Sequence, residues 1–196
     1  MLSLCILYPS CWFRYNYLFR DFLKTWLITA LFSYTRLQEE VNKHITNNED
    51  PTTGPYLRGV VREGLRLGLA NPTRLPRQTP LGGWEFKGYF FPTGTSVGVS
   101  AFQLHQNEAV FHDASTFSPS RWEDPSDAML AHFFAFGKGT RACIAQSLAM
   151  SAVTLATLKL TQSDLLRGAT AMEDRIEIIE WFNSKVKGGK ITIKFA

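Results

Sequence analysis

Cys143 closes the run Phe133-Phe-Ala-Phe-Gly-Lys-Gly-Thr-Arg-Ala-Cys143, and a thiol delivered by a glycine-punctuated loop is the group in this chain best placed to do chemistry. A thiolate is a nucleophile and a metal ligand, and a helix N-terminus or a neighbouring cation favours it over the thiol. Both are expected here. After Ile144 the apolar residues Leu148, Ala152, Leu155 and Leu158 recur every three or four positions, so a helix ending near Gln162 should begin at or next to the thiol. Its free N–H groups would face the sulfur, and Arg141 stands two residues upstream. Gly137 and Gly139 carry no Cβ, which permits a tight turn and a close approach to a flat cofactor. On the thiol alone, an inert core cysteine is the better reading, since free cysteines are among the most buried residue types.

The elements that would position this loop lie upstream. A helix is readable from about Thr35 to Thr46, with Leu37, Val41 and Ile45 at spacing four, followed by the turn-forming stretch Asn47–Pro55. A second helix runs from Tyr56 to about Leu69, with Pro55 in its first turn, an apolar stripe of Leu57, Val60, Val61 and Leu65, and Pro72 beyond its end. Glu63 and Arg66 share a face of it; by themselves they read as a surface pair worth well under about 1 kcal/mol. Arg74 to Ser100 reads as a small sheet. Turns fall at Gly82-Gly83, Lys87-Gly88 and Pro92-Thr-Gly94, between Trp84, Phe86, Tyr89 and Phe91 and the alternating Thr95, Val97 and Val99. Ala101 to Ala109 reads as one short helix, with His105 and His112 as surface or capping residues. The tail is less periodic; Lys187-Gly-Gly-Lys190 leads into a last strand, Ile191–Phe195, in a hairpin-like ending.

At 196 residues, 45% apolar and 19% charged, the chain reads as one globular domain with a proper core. The formal charge of +4 is spread along the sequence, so no nucleic-acid footprint is read. Cys5, Cys11 and Cys143 make neither an even framework nor a zinc-type pair, which favours a reducing or redox-neutral setting. Residues 1–33 stay unassigned, rich in Leu, Phe, Tyr and Trp without a single period; lipid-surface contact and a mispredicted start of a longer frame are both open. Their apolar runs, Met1–Tyr8 and Trp26–Phe32, fall short of the roughly 20 residues a spanning helix needs, and no basic stretch precedes Leu2, so neither anchor nor signal is read.

Phe136, Gly137, Gly139, Arg141 and Cys143 fall in the pattern F-x-x-G-x-R-x-C, which resembles the haem-thiolate monooxygenases of the cytochrome P-450 superfamily. Two further motifs follow the family's order: Glu63-Gly-Leu-Arg66 is similar to its E-x-x-R helix, and Phe117-Ser-Pro-Ser-Arg-Trp122 to its F-x-P-x-R-W stretch. The resemblance spans about Leu37 to Ala196 and is closest to microsomal-type members, the fungal ones among them. It implies a mainly α fold with small β-sheets, the C-terminal and incomplete portion of that fold in residues 34–196, binding haem b (iron protoporphyrin IX). It makes Cys143 the iron ligand, Phe136 the aromatic beside the sulfur, Gly137 part of the loop, and Arg141 and Arg77 the partners of the haem propionates. A solvated turn arginine stays open for Arg77. Glu63 would be gripped by Arg66 and Arg121, a structural role beneath the cysteine loop. Asn71–Leu75 looks like the family's substrate-facing loop. One departure is Ala145, where the pattern usually has Gly.

For complete members the resemblance implies oxygen insertion into a lipophilic small molecule, electrons from an NADPH-cytochrome reductase, and the endoplasmic reticulum membrane. Here no A/G-G-x-D/E-T motif is found between Met1 and Gly54 and no W-x-x-x-R pair, so the chain is expected to be truncated and inactive alone. A haem-thiolate isomerase or dehydratase needing no reductase, and a non-enzymatic haem-binding remnant, stay open as alternatives.

Overall fold

Two helices near the start of the described chain meet because one caps the other. Helix α1 is Tyr34–Thr46 and helix α2 is Pro55–Gly68. Glu40 of α1 accepts hydrogen bonds from the N–H groups of Tyr56 and Leu57, at 2.8 Å each, satisfying donors that the first turn of α2 cannot pair itself. Pro55 opens α2, where its missing N–H costs nothing. The computed structural model describes residues 34–68, 71–171, 178–179, 185–186 and 193–195. Cys5, Cys11, the unassigned segment 1–33 and Lys187-Gly-Gly-Lys190, expected to lead into the last strand, lie outside them.

The main core gathers Leu37 and Val41 of α1, Tyr56, Leu57, Val60, Val61 and Leu65 of α2, and Val153 and Leu158 of a third long helix, Gln146–Gln162. A second cluster holds Phe111, Ala114, Trp122 and Met129, and Phe133 packs against both. The far end of the Gln146–Gln162 helix is tied back to α1, where Asp164 accepts from Tyr34 Oη at 2.8 Å and from Gln38 Nε2 at 3.0 Å. Burial, with Asp164 second, pushes the Tyr34 hydroxyl up to about 12.

Strands β1 (Arg74–Gln78) and β4 (Ser96–Ser100) pair antiparallel, Arg74 opposite Ser100 and Gln78 opposite Ser96. Between them β2 (Trp84–Phe86) and β3 (Tyr89–Phe91) form a hairpin of their own, turning on Lys87 and Gly88 at φ 51° and 80°. The expected single sheet is thus two separate two-stranded pairs. Helix α3, Ala101–His105, stops four residues before the expected Ala109, and helix α4 is Asp127–His132, capped by Ser126. The Gln146–Gln162 helix becomes α5. In the tail β5 (Ala169–Ala171) pairs with β8 (Ile193–Phe195), and β6 (Ile178–Ile179) with β7 (Lys185–Val186). Among the described residues, the last strand, expected in a hairpin-like ending, lies against Ala169–Ala171.

Two helical expectations need correction. Ile45 is 51% exposed, so the buried face of α1 stops at Val41. In α5 the inward residues are Val153, Thr157, Leu158 and Thr161, while Leu148 and Leu155 of the expected stripe face outward. Thr157 and Thr161 bury without cost to their hydroxyls, which donate to the carbonyls of Val153 and Thr157 at 2.8 and 2.9 Å.

Candidate functional site

Glu63 and Arg66 are both fully buried, so the surface pair that α2 suggests in isolation is an interior ion pair. The carboxylate is bonded on every side. Its Oε1 accepts from Arg66 Nη2 (2.8 Å), Arg121 Nε (2.9 Å) and the Ser118 N–H (3.0 Å). Oε2 accepts from Arg66 Nε (2.9 Å) and Trp122 Nε1 (2.8 Å). The two-pronged Arg66 contact is the fork geometry that makes guanidinium–carboxylate pairs strong.

The rest of Arg66 is satisfied by backbone: Nη1 donates to the carbonyls of His105 (2.7 Å) and Ala114 (2.6 Å), and Nη2 reaches Thr116 O at 3.3 Å. Arg121 Nη1 donates to His112 O at 2.9 Å. Close approach makes this reach feasible. A Cβ on Gly59, one turn before Glu63, would stand 2.5 Å from the Pro119 carbonyl oxygen, so only glycine lets α2 lie against the Pro119–Trp122 turn.

His105 corrects the sequence reading outright, for it is fully buried and not a surface or capping residue. Its Nδ1 lies 2.8 Å from Arg66 O and its Nε2 accepts the Phe134 N–H at 2.8 Å. An acceptor at Nε2 and a carbonyl facing Nδ1 assign the neutral tautomer with the proton on Nδ1. Burial lowers its pKa to about 4, and the Arg66 cation pushes the same way. His112, in contrast, is at the surface beside Asp113, as expected.

The cysteine loop is built by two left-handed glycines, Gly137 at φ 67° and Gly139 at φ 73°. The Cys143 N–H donates to Phe136 O at 2.8 Å and the Gly137 N–H to Phe134 O at 3.0 Å, which folds the loop back on itself. Helix α5 begins at Gln146, so Ile144 and Ala145 separate it from the thiol, where the periodicity placed the helix start at or next to the sulfur. Cys143 is exposed, which removes the inert core cysteine as a reading. Behind it Phe136 is half-buried against the main core. Beside it Ile144 is wholly exposed and Leu148 is 74% exposed.

Strand β1 borders the same loop: a Cβ on Gly137 would meet Leu75 Cδ1 at 3.9 Å. Residues two apart share a face of a strand, so Arg77 stands on the face of β1 that Leu75 turns toward the loop. Arg77 and Arg141 are exposed, and among the described residues neither has a carboxylate partner; Arg77 Nη1 bonds its neighbour Pro76 O at 2.8 Å. At the start of this segment Asn71 Oδ1 accepts from Thr73 Oγ1 at 2.6 Å and Thr73 N–H at 3.2 Å, setting a tight turn. Sequence reasoning missed His105, Trp122 Nε1 and the Ser118 N–H. A buried guanidinium has five N–H groups and a buried indole one, so both should have sent the search for acceptors beyond the motif arginines.

This donor set suits a flat, largely apolar group with an anionic edge. A sulfur ligand stands free on a side-chain-poor loop, exposed Ile144 and Leu148 offer an apolar ledge, and two cations wait nearby. Comparison with known proteins gives the fold and the family. A solved haem domain, that of a cytochrome P450DA mutant, superposes with a TM-score of 0.65 at 16% identity, covering 90% of this chain and 42% of that one, a likeness of fold. The Cytochrome P450 family model matches residues 25–163, and the chain belongs to that family. The two relatives that follow are fungal. The cytochrome P450 monooxygenase mfmF of Annulohypoxylon moriforme is 40% identical over 158 residues, 76% of this chain and 32% of that protein. A pisatin demethylase of Fusarium vanettenii is 41% identical over 123 residues, 59% of this chain and 24% of the demethylase. The chain thus spans a third or less of the length of these relatives.

Proposed function

We propose that this chain forms the haem-binding, sulfur-ligand side of a monooxygenase, with Cys143 ligating the iron of haem b. The observation that carries it is the exposed Cys143 on a loop shaped by Gly137 and Gly139, in a region that also exposes the apolar Ile144 and Leu148 and the cations Arg141 and Arg77. When bound, such a group uses electrons to activate dioxygen, and a cysteine sulfur favours O–O cleavage by pushing electron density toward iron. The protein's own part is positional. Arg141 and Arg77 would hold the carboxylate edge, Ile144 and Leu148 would exclude water beneath the ring, and Phe136 would shield the sulfur from behind.

Relatives named as monooxygenases, a demethylase and a fusicoccadiene hydroxylase support oxygen insertion into a lipophilic substrate. An NADPH-cytochrome reductase would be the electron donor, and a microsomal setting on the endoplasmic reticulum fits the relatives. Among the described residues no helix is long and apolar enough to cross a membrane. By itself the chain should bind haem without efficient turnover. Efficient turnover also asks for positioned acid–base groups, which contribute about 10²–10⁴-fold to such chemistry.

The test is optical. Chain loaded with iron protoporphyrin, reduced and exposed to carbon monoxide, should show the red-shifted Soret band of a thiolate complex, and Cys143→Ser should abolish it. An unchanged band in the serine variant would overturn the assignment.

A further inference from the structure

Cys143 lies on an exposed loop and Glu63 in the interior, and none of the bonds described for Glu63, Arg66 or Arg121 touches the loop from Phe136 to Cys143. Something else must carry the restraint of that network to the sulfur. We propose that His105 is the positioning residue that does so, holding the Cys143 loop in register through the Phe134 N–H. The proposal rests on Cys143 being the iron ligand.

The connection is continuous and polar. Arg66 and His105 bond each other reciprocally, Arg66 Nη1 donating to His105 O at 2.7 Å and His105 Nδ1 donating to Arg66 O at 2.8 Å. From the opposite side of the ring, Nε2 receives the Phe134 N–H at 2.8 Å. Phe134 O in turn accepts the Gly137 N–H, and Phe136 O accepts the N–H of Cys143 itself. One imidazole therefore spans from helix α2 to the start of the loop, 29 residues on from its own position. The Phe133 side chain covers one face of the ring, stacked on it with centroids 5.8 Å apart at 15°, which resists tilting.

Chemistry explains why histidine stands here. The site needs a donor on one edge and an acceptor on the other, separated by a rigid ring and buried from water, and neutral imidazole meets all three. A purely apolar ring would fill the space but make neither the bond to Arg66 O nor the one to the Phe134 N–H. Gln keeps an acceptor on a flexible stem.

The experiment uses the full chain with iron protoporphyrin and carbon monoxide as the optical probe. His105→Phe, which preserves the stacking volume, should lose most of the thiolate-type band to the band of a neutral thiol, while helical circular dichroism stays. His105→Gln should recover part of the thiolate band. A space-filling role alone would give the Phe variant the parent spectrum, and that result would overturn the proposal. Should the Phe variant fail to fold, amide exchange in the unaltered chain decides: Phe134 should be among the slowly exchanging amides, and exchange as fast as an exposed loop amide would overturn it. A parent chain with no thiolate band would defeat the reading of Cys143, leaving Phe134 exchange as the separate measure of the His105 link.

Discussion

Helices α2 and α5 are both apolar and both feed the main core, yet they are opposite kinds of surface. Ten of the fourteen residues of α2 are buried, including the charged pair Glu63 and Arg66. Only four of the seventeen in α5 are buried, and Leu148 and Leu155 stand in solvent. The difference teaches where this structure is self-sufficient. Around α2 the described residues supply the hydrogen-bond partners of Glu63 and Arg66, so that region is held by contacts already present. At the start of α5, next to Cys143, the apolar side chains Ile144 and Leu148 stand exposed.

If α2 is the self-sufficient side, breaking its network should hurt most. Glu63→Ala leaves Arg66 and Arg121 buried or half-buried with no carboxylate, and removing one member of a buried pair typically costs about 3–5 kcal/mol. Thermal melting and haem retention read it; a melting temperature equal to the parent's would erase the contrast between the two helices.

Acid probes the same side more gently. His105 is faced by Arg66 and Glu63 of α2, and its folded pKa of about 4 lies below the ordinary 6.5. Between those values the unfolded chain binds a proton that the folded chain refuses. The stability tied to neutral His105 is therefore present above about pH 6.5 and lost as pH falls toward 4, on the order of 3 kcal/mol for a shift of that size. Denaturant midpoints of the parent and of His105→Gln across this window should converge as pH drops; parallel curves would contradict it.

Gly59→Ala tests how tightly α2 is seated. The new methyl would meet the Pro119 carbonyl, so the gain in helix propensity should be outweighed by an overpacking cost of about 1–3 kcal/mol, seen as a lower denaturant midpoint. At the other extreme, Leu148→Gln on the exposed side should change the stability of the haem-free chain by less than about 0.5 kcal/mol while weakening haem binding in titration. A large loss of stability without haem would mean that Leu148 is packed after all.

These contrasts also show how far the sequence could be read. The helices α1 and α2, the turns at Gly82-Gly83 and Lys87-Gly88 and the order of the motifs were legible because each rests on local chemistry: apolar spacing, proline, or glycine at positive φ. The inward face of α5 was not. Apolar residues surround that helix, so spacing alone has no unique phase, and the buried Thr157 and Thr161 read as polar although each satisfies its hydroxyl on its own helix. His105 was misread for a different reason. Its partners are Arg66 and Phe134, 39 and 29 residues away, and no local pattern announces a bond over that distance. For the candidate site the loop and its cysteine were visible, whereas the exposure of Ile144 and Leu148, which gives the loop its ledge, depends on what packs beneath them.

Phe133 has a consequence of another kind. It packs against the α1–α2–α5 core, lies edge-on to Trp122 of the second cluster at 5.2 Å between ring centroids, and stacks on His105 between them. One side chain thus belongs to both cores. Neither can loosen without withdrawing a wall from the other, so heat should be absorbed in a single cooperative step, with no half-melted species in which one cluster survives alone.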